Sequence, residues 1–164
     1  MRIRPVRPED ADAIDKINRE AAKGDFFCFS KGIKESASEL INRLSFLDHL
    51  FVLESDTEPN TICGACLLQV DSQIFLRRVA TLRVIVKESC QGQGLGRALI
   101  KAALDLADNE LMLERVEVEI PTNNVGALKM CKSVGFKVEG TAKDWIRTPD
   151  GSYVDAYLMA HCKN

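Results

Sequence analysis

Apolar and polar positions alternate along the chain with two periods, and their order predicts an α/β fold. Apolar residues from Ile14 to Ala21 recur at helical spacing, whereas the stretch from Val116 to Ile120 alternates apolar side chains with glutamates, as a half-buried strand does. The elements fit a mixed sheet with helices on both faces. The predicted strands are 3–6, 50–53, 62–70, 79–86, 116–120, 136–147 and 152–160, and the predicted helices are 8–21, 40–47, 95–111 and 124–134.

A glycine-rich run, QGQGLGR, lies between the fourth predicted strand and the third predicted helix. Glycine carries no Cβ, so its backbone can approach an anion closely and can turn with a positive φ. The start of the helix adds unpaired N–H groups and the positive end of the helix dipole, which both favour negative charge. The run therefore predicts a pyrophosphate-binding turn, with a plain tight connection as the alternative. Its residues are Gln91, Gly92, Gln93, Gly94, Leu95, Gly96 and Arg97.

Two other phosphate-binding motifs do not fit this run. A P-loop requires Gly-Lys-Ser/Thr at the start of the helix, and no such sequence follows the glycines. The dinucleotide fingerprint is G-x-G-x-x-G after a first strand, whereas this run reads G-x-G-x-G and lies past the middle of the chain. Neither of those two modes of nucleotide binding is therefore expected.

The run resembles the Gln/Arg-x-x-Gly-x-Gly/Ala signature with which the GNAT superfamily of N-acetyltransferases binds acyl-CoA, and it follows a strand that ends at Val86, as in that family. A second stretch, 124–136, looks like the family's Asn-x-x-Ala-(apolar)-x-x-Tyr-x-x-x-Gly-Phe helix, with Cys131 in place of Tyr. The tail 140–160 is similar to amino-acid and ribosomal-protein N-acetyltransferases of that superfamily. The resemblance implies a GNAT fold that binds acetyl-CoA as cosubstrate.

The resemblance also implies a mostly antiparallel central sheet that is splayed between its fourth and fifth strands, with the last strand beside the fifth. Backbone amides of the fourth strand are expected to hold pantetheine in the splay, with the oxyanion contact from Val86. Arg97 or Lys132 is expected to reach a phosphate, with ordinary surface charge as the alternative for both. Phe29 is expected either to shape the amine pocket or to anchor its loop. Besides the glycine-rich run, the implied cofactor-binding residues are Val84, Ile85, Val86, Asn124, Ala127 and Lys132.

Acetyl transfer needs a neutral amine, a stabilised oxyanion and a proton for the departing thiolate. Glu119 lies five residues before Asn124, where similar ribosomal-protein α-amino acetyltransferases carry a catalytic glutamate, so we expect it to be the base. Glu117 and Glu119 could instead both face solvent, since they alternate with apolar residues. Cys131 and Tyr157 are the candidate acids, with water as the third.

Composition and charge limit the classes of partner and the cellular location that the sequence predicts. The balance of 22 basic and 24 acidic residues, without a basic block, gives no expectation of nucleic acid or membrane as a partner. No segment approaches the ~20 apolar residues that cross a bilayer, and residues 1–5 lack the character of a signal peptide, so we expect a cytoplasmic protein. Cys63 and Cys66 have C-x-x-C spacing, but residues three apart on a strand face opposite sides, so no metal site is expected.

The 164 residues are the length of one domain, 1–164, large enough to bury about 70% of its unfolded surface. The sequence thus predicts an acetyl-CoA-dependent N-acetyltransferase acting on a primary amine of a small molecule, such as an amino acid, or on a peptide α-amine. A polyamine, an aminoglycoside or another xenobiotic amine is the alternative acceptor. The missing Tyr leaves open a non-catalytic acyl-CoA-binding regulatory module. The resemblance also allows a homodimer, because final strands often pair between subunits in that family.

Overall fold

The computed structural model describes residues 1–23, 35–148 and 150–163, which form seven strands and four α-helices. The strands are β1 (Arg2–Pro5), β2 (Asp48–Glu54), β3 (Ile62–Val70), β4 (Val79–Val86), β5 (Arg115–Pro121), β6 (Lys137–Arg147) and β7 (Tyr153–Cys162). The helices are α1 (Ala11–Lys23), α2 (Ala37–Arg43), α3 (Leu95–Asn109) and α4 (Val125–Ser133). Within these described ranges, no helix has the length and apolar character needed to span a bilayer.

All seven strands lie in one sheet, in the order β1-β2-β3-β4-β5-β7-β6. Neighbouring strands are antiparallel except β4 and β5, which run parallel and pair only from Val79–Arg115 to Thr81–Glu117. Beyond Thr81 and Glu117 the two strands no longer pair with each other, and an opening forms between their carboxyl ends. The predicted splay between the fourth and fifth strands is confirmed, as is the place of the last strand beside β5.

Apolar side chains form two clusters, one on each face of the sheet. α1 and α2 pack Ile14, Ile17 and Leu40 against one face, which we call the α1–α2 face. α3 and α4 cover the other, the α3–α4 face, where Leu99 and Phe136 are fully buried. Helices therefore lie on both faces of the sheet, as the order of elements predicts.

A buried ion network joins β1 to the turn before α1 and to β2. Arg4 donates to the two carboxylate oxygens of Asp10 at 2.8 and 2.9 Å and to Glu54 at 2.9 Å. Arg4 and Asp10 are only 6% and 4% exposed. Burial alone would raise the pKa of Asp10, but hydrogen bonds from Arg4 and from the Arg7 amide outweigh it and hold the pKa below its ordinary value.

Two expectations from the sequence are wrong. The second helix spans Ala37–Arg43 and not 40–47, because Ser36 and Glu39 form a capping box that begins it early. Cys63 and Cys66 do not face opposite sides, because β3 carries one extra residue opposite the end of β2 and this bulge brings both thiols into the cluster on the α3–α4 face. Phe29 lies outside the described residues.

Candidate active site

The turn between β4 and α3 depends on glycine for two different reasons. Gly92 and Gly94 have φ of +74° and +77°, which L side chains rarely adopt. A Cβ built on either would have no atom within 4 Å in the described part of the chain, so the backbone is open where an anion would approach. A Cβ on Gly96, by contrast, would lie 2.9 Å from the sulfur of Met130. The third glycine therefore allows α3 to pack closely against α4.

The start of α3 is well suited to hold phosphate. Gln91 donates Nε2 to the Val86 carbonyl at 3.2 Å, which ties the turn to the end of β4. The amide of Ala98 donates to the Gly94 carbonyl at 3.1 Å as the first bond of the helix. The amides of residues 95–97 come before that bond and so have no carbonyl partner within the helix. Together with the helix dipole they favour an anion, so the residues of the run fit a pyrophosphate group.

Backbone polar groups of β4 line the opening beside β5. Along a strand these groups point alternately to its two neighbours. Just after β4, Lys87 donates its amide to the Cys63 carbonyl of β3 at 2.8 Å. By alternation Ile85 also bonds toward β3, whereas Val84 and Val86 direct N–H and C=O groups into the opening. Of the three strand residues predicted to hold pantetheine, Val84 and Val86 are the two whose amides face the splay.

α4, which belongs to the second sequence motif, lies beside the glycine-rich run, because Met130 contacts Gly96. Asn124 caps the helix, because its Oδ1 accepts the Ala127 amide at 3.1 Å. Its oxygen is thus occupied, so a bond from Asn124 to a cofactor would come from Nδ2. Gln93 and Arg97 on the turn and Lys132 on α4 have exposed side chains.

Glu117 and Glu119 lie on the α1–α2 face of β5, since the apolar residues beside them pack into the cluster on the other face. Arg115 donates Nε to Glu117 at 2.6 Å and also pairs with Glu139 of β6. Glu119 has a different partner: its Oε2 accepts the indole N–H of Trp145 at 3.0 Å. The two glutamates therefore share a face of the sheet, but Glu117 contacts a cationic guanidinium and Glu119 contacts a neutral indole.

Trp145 reaches Glu119 from β6, two strands away in the sheet. A bulge makes this possible, because residues 143–145 of β6 stand opposite the single residue Asp155 of β7. Asp155 holds the bulge by accepting the Asp144 amide at 2.8 Å. Sequence reasoning missed Trp145, and the one signal available was a lone tryptophan on a strand of mostly polar residues.

The candidate acids lie on the opposite face from Glu119. Cys131 is 2% exposed within the cluster on the α3–α4 face, and burial raises the pKa of its thiol to about 11. Tyr157 pairs with Ile120 of β5, and its side chain packs against the same cluster. Base and acid candidates are thus separated by the thickness of the sheet, and Tyr157 lies on the strand beside the opening.

Two cavities meet at Thr81 on the α1–α2 face, where the pairing of β4 with β5 ends. One, of about 250 Å³, is lined by Glu119, Trp145 and the surrounding residues of β5, β6 and β7. The other, of about 380 Å³, is lined by Arg83, Gln69 and polar residues of the neighbouring loops. A second ligand could occupy this face while the glycine-rich turn holds an anion at the end of the opening.

A split α/β sheet with a glycine-rich turn at the end of the opening fits a group-transfer protein that holds two ligands. Residues 18–136 match the family model described as the acetyltransferase (GNAT) family, and the chain belongs to this family.

Several relatives match along nearly the whole chain. The L-amino acid N-acetyltransferase AaaT of Escherichia coli (strain K12) is 36% identical over 166 residues, which cover 98% of this chain and 97% of the relative. An N-alpha-acetyltransferase of Sulfurisphaera tokodaii is 29% identical over 97% of this chain and 91% of the relative. The crystal structure of an acetyltransferase of the GNAT family from Streptococcus pneumoniae superposes with a TM-score of 0.83 at 21% identity, with 99% of each chain covered.

Proposed function

We propose that the chain is an acetyl-CoA-dependent N-acetyltransferase whose acceptor is an amino acid or a peptide α-amine. The observation that carries the proposal is the opening between β4 and β5, which has the glycine-rich turn at its end and Glu119 at its edge. Similarity to an L-amino acid N-acetyltransferase and to an N-alpha-acetyltransferase supports an α-amine as the acceptor.

Acetyl-CoA would supply the acetyl group as a thioester. The turn 91–97 fits its pyrophosphate, and the backbone of Val84 and Val86 fits the amides of its pantetheine arm. We propose that the N–H of Val86 binds the thioester oxygen, where negative charge develops during transfer. Asn124 and the exposed cations Arg97 and Lys132 are proposed to contact the arm and the phosphates.

Glu119 is proposed to take the proton from the acceptor. An α-amino group with a pKa near ~8 costs about 1 kcal/mol to deprotonate at neutral pH, whereas a lysine-like amine near ~10.4 costs over ~4 kcal/mol. A single carboxylate at the surface is sufficient to deprotonate an α-amino group, which has the lower of these two costs. The local chemistry therefore favours an α-amine over a polyamine.

The departing thiolate must then receive a proton. A thiol with a pKa of about 11, as for Cys131, holds its proton more tightly than an ordinary thiol of pKa ~8.5 would. Its sulfur is also buried within the cluster on the α3–α4 face and is not exposed to a ligand in the opening. We propose that water or Tyr157 supplies this proton and that Cys131 packs the core.

A panel of acceptors tests the function. Thiol release from acetyl-CoA is measured with L-amino acids, a short peptide with a free amino end, spermidine and an aminoglycoside, and products are identified by mass spectrometry. We expect release with amino acids or the peptide and acetylation at the α-nitrogen. Release with only spermidine or the aminoglycoside would change the acceptor. Binding of acetyl-CoA without release from any acceptor would indicate the regulatory module.

The cosubstrate site is tested separately by calorimetry. Gly94→Val should abolish acetyl-CoA binding, because valine cannot adopt the left-handed backbone of Gly94 and would fill the open side of the turn. Gly140→Val is the matched control, since Gly140 lies in β6 with an ordinary φ and open space around it. Undiminished binding by a folded Gly94→Val variant would place the cosubstrate elsewhere.

A further inference from the structure

We infer that Cys63 and Cys90 are a redox-sensitive pair: a hydroperoxide closes them to a disulfide, and the disulfide displaces the glycine-rich turn that follows Cys90. The inference goes beyond the proposed function, which gives neither thiol a part in acetyl transfer. Only its consequence for acetyl-CoA, a weaker affinity in the oxidised protein, rests on that function.

The fold brings the two cysteines together from different elements. Lys87 links their backbones, because its amide donates to the Cys63 carbonyl at 2.8 Å and its carbonyl accepts the Cys90 amide at 2.8 Å. The bulge in β3 turns the Cys63 side chain to the α3–α4 face, where Cys90 packs against the same cluster. A hydrogen bond joins the two thiol groups. The two sulfur atoms are therefore close enough for a disulfide to form with a small movement of the backbone.

The two thiols differ in exposure, and this difference sets the order in which they react. Cys63 is 3% exposed, and burial together with the hydrogen bond to Cys90 raises the pKa of its thiol to about 11. Cys63 therefore keeps its proton at neutral pH. Cys90 is partly exposed at the end of the short 3-10 helix Glu88–Cys90, whose other two residues lie at the surface. An oxidant in solvent therefore meets Cys90 first.

With hydrogen peroxide as the oxidant, the reaction has two steps. The sulfur of Cys90 attacks one peroxide oxygen, so that an S–O bond forms, the O–O bond breaks, and the second oxygen leaves as water with the thiol proton. The sulfur of Cys63 then attacks the sulfenic sulfur of Cys90, so that the S–S bond forms, the S–O bond breaks, and the hydroxide leaves as water with the Cys63 proton. The pair of thiols loses two electrons, and the peroxide is reduced to water.

The disulfide moves the turn and not the strand. A covalent S–S bond is about 2.05 Å long, shorter than the separation of two hydrogen-bonded sulfur atoms, so the sulfurs must approach each other. Cys63 belongs to β3, which pairs with β2 on one side and β4 on the other. Cys90 directly precedes Gln91, whose Nε2 bond to the Val86 carbonyl ties the turn to β4. Oxidation therefore pulls Gln91 and the glycines after it out of the position that fits pyrophosphate.

The disulfide is tested by treating the reduced protein with hydrogen peroxide and mapping its cysteines by mass spectrometry. We expect a bond between Cys63 and Cys90 that dithiothreitol reverses, and faster amide hydrogen exchange in residues 88–97 of the oxidised protein. Cys90→Ser and Cys63→Ala should each abolish both changes. Cys162→Ser, at an exposed cysteine, is the matched control and should leave both intact. Thiols that stay unpaired, bonds to other cysteines, or unchanged exchange in the disulfide form would each overturn the inference.

Calorimetry with acetyl-CoA tests the consequence for the cosubstrate. The Kd of the disulfide form should be about fivefold to a hundredfold higher than that of the reduced form, the range for energetic coupling between two sites. Cys90→Ser should bind acetyl-CoA as the reduced parent does, before and after peroxide treatment. Equal Kd values for the reduced and disulfide forms would overturn the inference. No binding by the reduced parent would count against the proposed function, whereas the mapped disulfide and the hydrogen exchange would still decide the inference.

Discussion

At the residue scale, Glu117 and Glu119 differ in the groups that bind their carboxylates. Glu117 pairs with Arg115, which also pairs with Glu139, so its charge is partly offset by a cation that the two glutamates share. Glu119 accepts the N–H of a neutral indole, which orients the carboxylate without neutralising it. The Glu119 carboxylate is thus oriented by a neutral donor, whereas the Glu117 carboxylate is held in an ion pair.

Replacing each glutamate separately tests this difference. Glu119→Gln is expected to lower turnover roughly tenfold to a thousandfold near neutral pH, in or just below the range for loss of a general base. The deficit should shrink as the pH rises, because more of the amine is then neutral. Glu117→Gln is the matched control and should change the rate little. Rate profiles over pH for the three proteins decide the point, and similar losses in both variants would favour one solvent-facing acidic surface.

At the scale of single elements, the bulge in β6 sets the position of Trp145. Asp155 accepts the Asp144 amide and the Lys143 ammonium, and these bonds turn the indole back across β7 toward β5. The bulge thus brings Trp145, which belongs to the outermost strand β6, to the side of the opening. Its loss would separate Trp145 from Glu119 without altering β5.

Trp145→Phe is expected to lower turnover about twofold to tenfold, because the phenyl ring keeps the aromatic surface but cannot donate to Glu119. The hydrogen bond from Trp145 holds the Glu119 carboxylate in one orientation. Its loss should therefore lower kcat and leave acetyl-CoA binding unchanged. Tyr153→Phe, an exposed change on the same hairpin, serves as the control. An equally large loss of rate in a protein that also carries Glu119→Gln would contradict a direct effect of Trp145 on Glu119.

The glycine-rich turn could be anticipated from the sequence because it depends on a local pattern, whereas the opening was expected only from the resemblance to the GNAT family. Gly92 and Gly94 mark a left-handed turn, and the strand before them is an apolar run. The bulge at Cys63 could not be anticipated, because one extra residue reverses the faces of a strand and leaves its composition unchanged. The contact between Trp145 and Glu119 depends on the bulge in β6, where Lys143 bonds to Asp155 of β7, twelve residues further along the chain. The periodicity of a strand does not reveal which residues of the neighbouring strand lie opposite it.

At the scale of the whole molecule, the network of Arg4, Asp10 and Glu54 fixes the edge of the sheet to the start of α1. Because Asp10 has a pKa below its ordinary value, it favours the folded state whenever it is charged. This contribution is complete above the unfolded pKa of ~3.9 and is lost as the pH falls through the lower folded pKa. A fall in pH should therefore weaken the link between β1, β2 and the start of α1.

Asp10→Asn is expected to lower the free energy of unfolding by about 3 to 5 kcal/mol at neutral pH, because it leaves a buried guanidinium without its main partner. Denaturant titrations at a series of pH values measure the effect. The gap between the variant and the parent should narrow as the pH falls through the folded-state pKa of Asp10, which lies below its ordinary value, because the aspartate of the parent then becomes protonated. Asp12→Asn, an exposed change in α1, is the control and should leave the curves nearly superimposed. A gap that does not depend on pH would argue against an electrostatic origin.

Under the proposed function, the opening between β4 and β5 would also link the stability of the protein to its cosubstrate. Val84 and Val86 direct backbone groups into a space where β5 does not pair with them, and the Val86 carbonyl accepts Gln91 Nε2 there. The free protein therefore forgoes hydrogen bonds to β5 that a continuous sheet would make. A ligand that fills the space binds only the folded chain, and at a hundred times its Kd it adds about 2.7 kcal/mol to the free energy of unfolding. Under the proposed function, the lifetime of the enzyme in a cell would rise with the supply of acetyl-CoA. The amount of enzyme in the cell would then rise and fall with the concentration of acetyl-CoA, which the enzyme consumes.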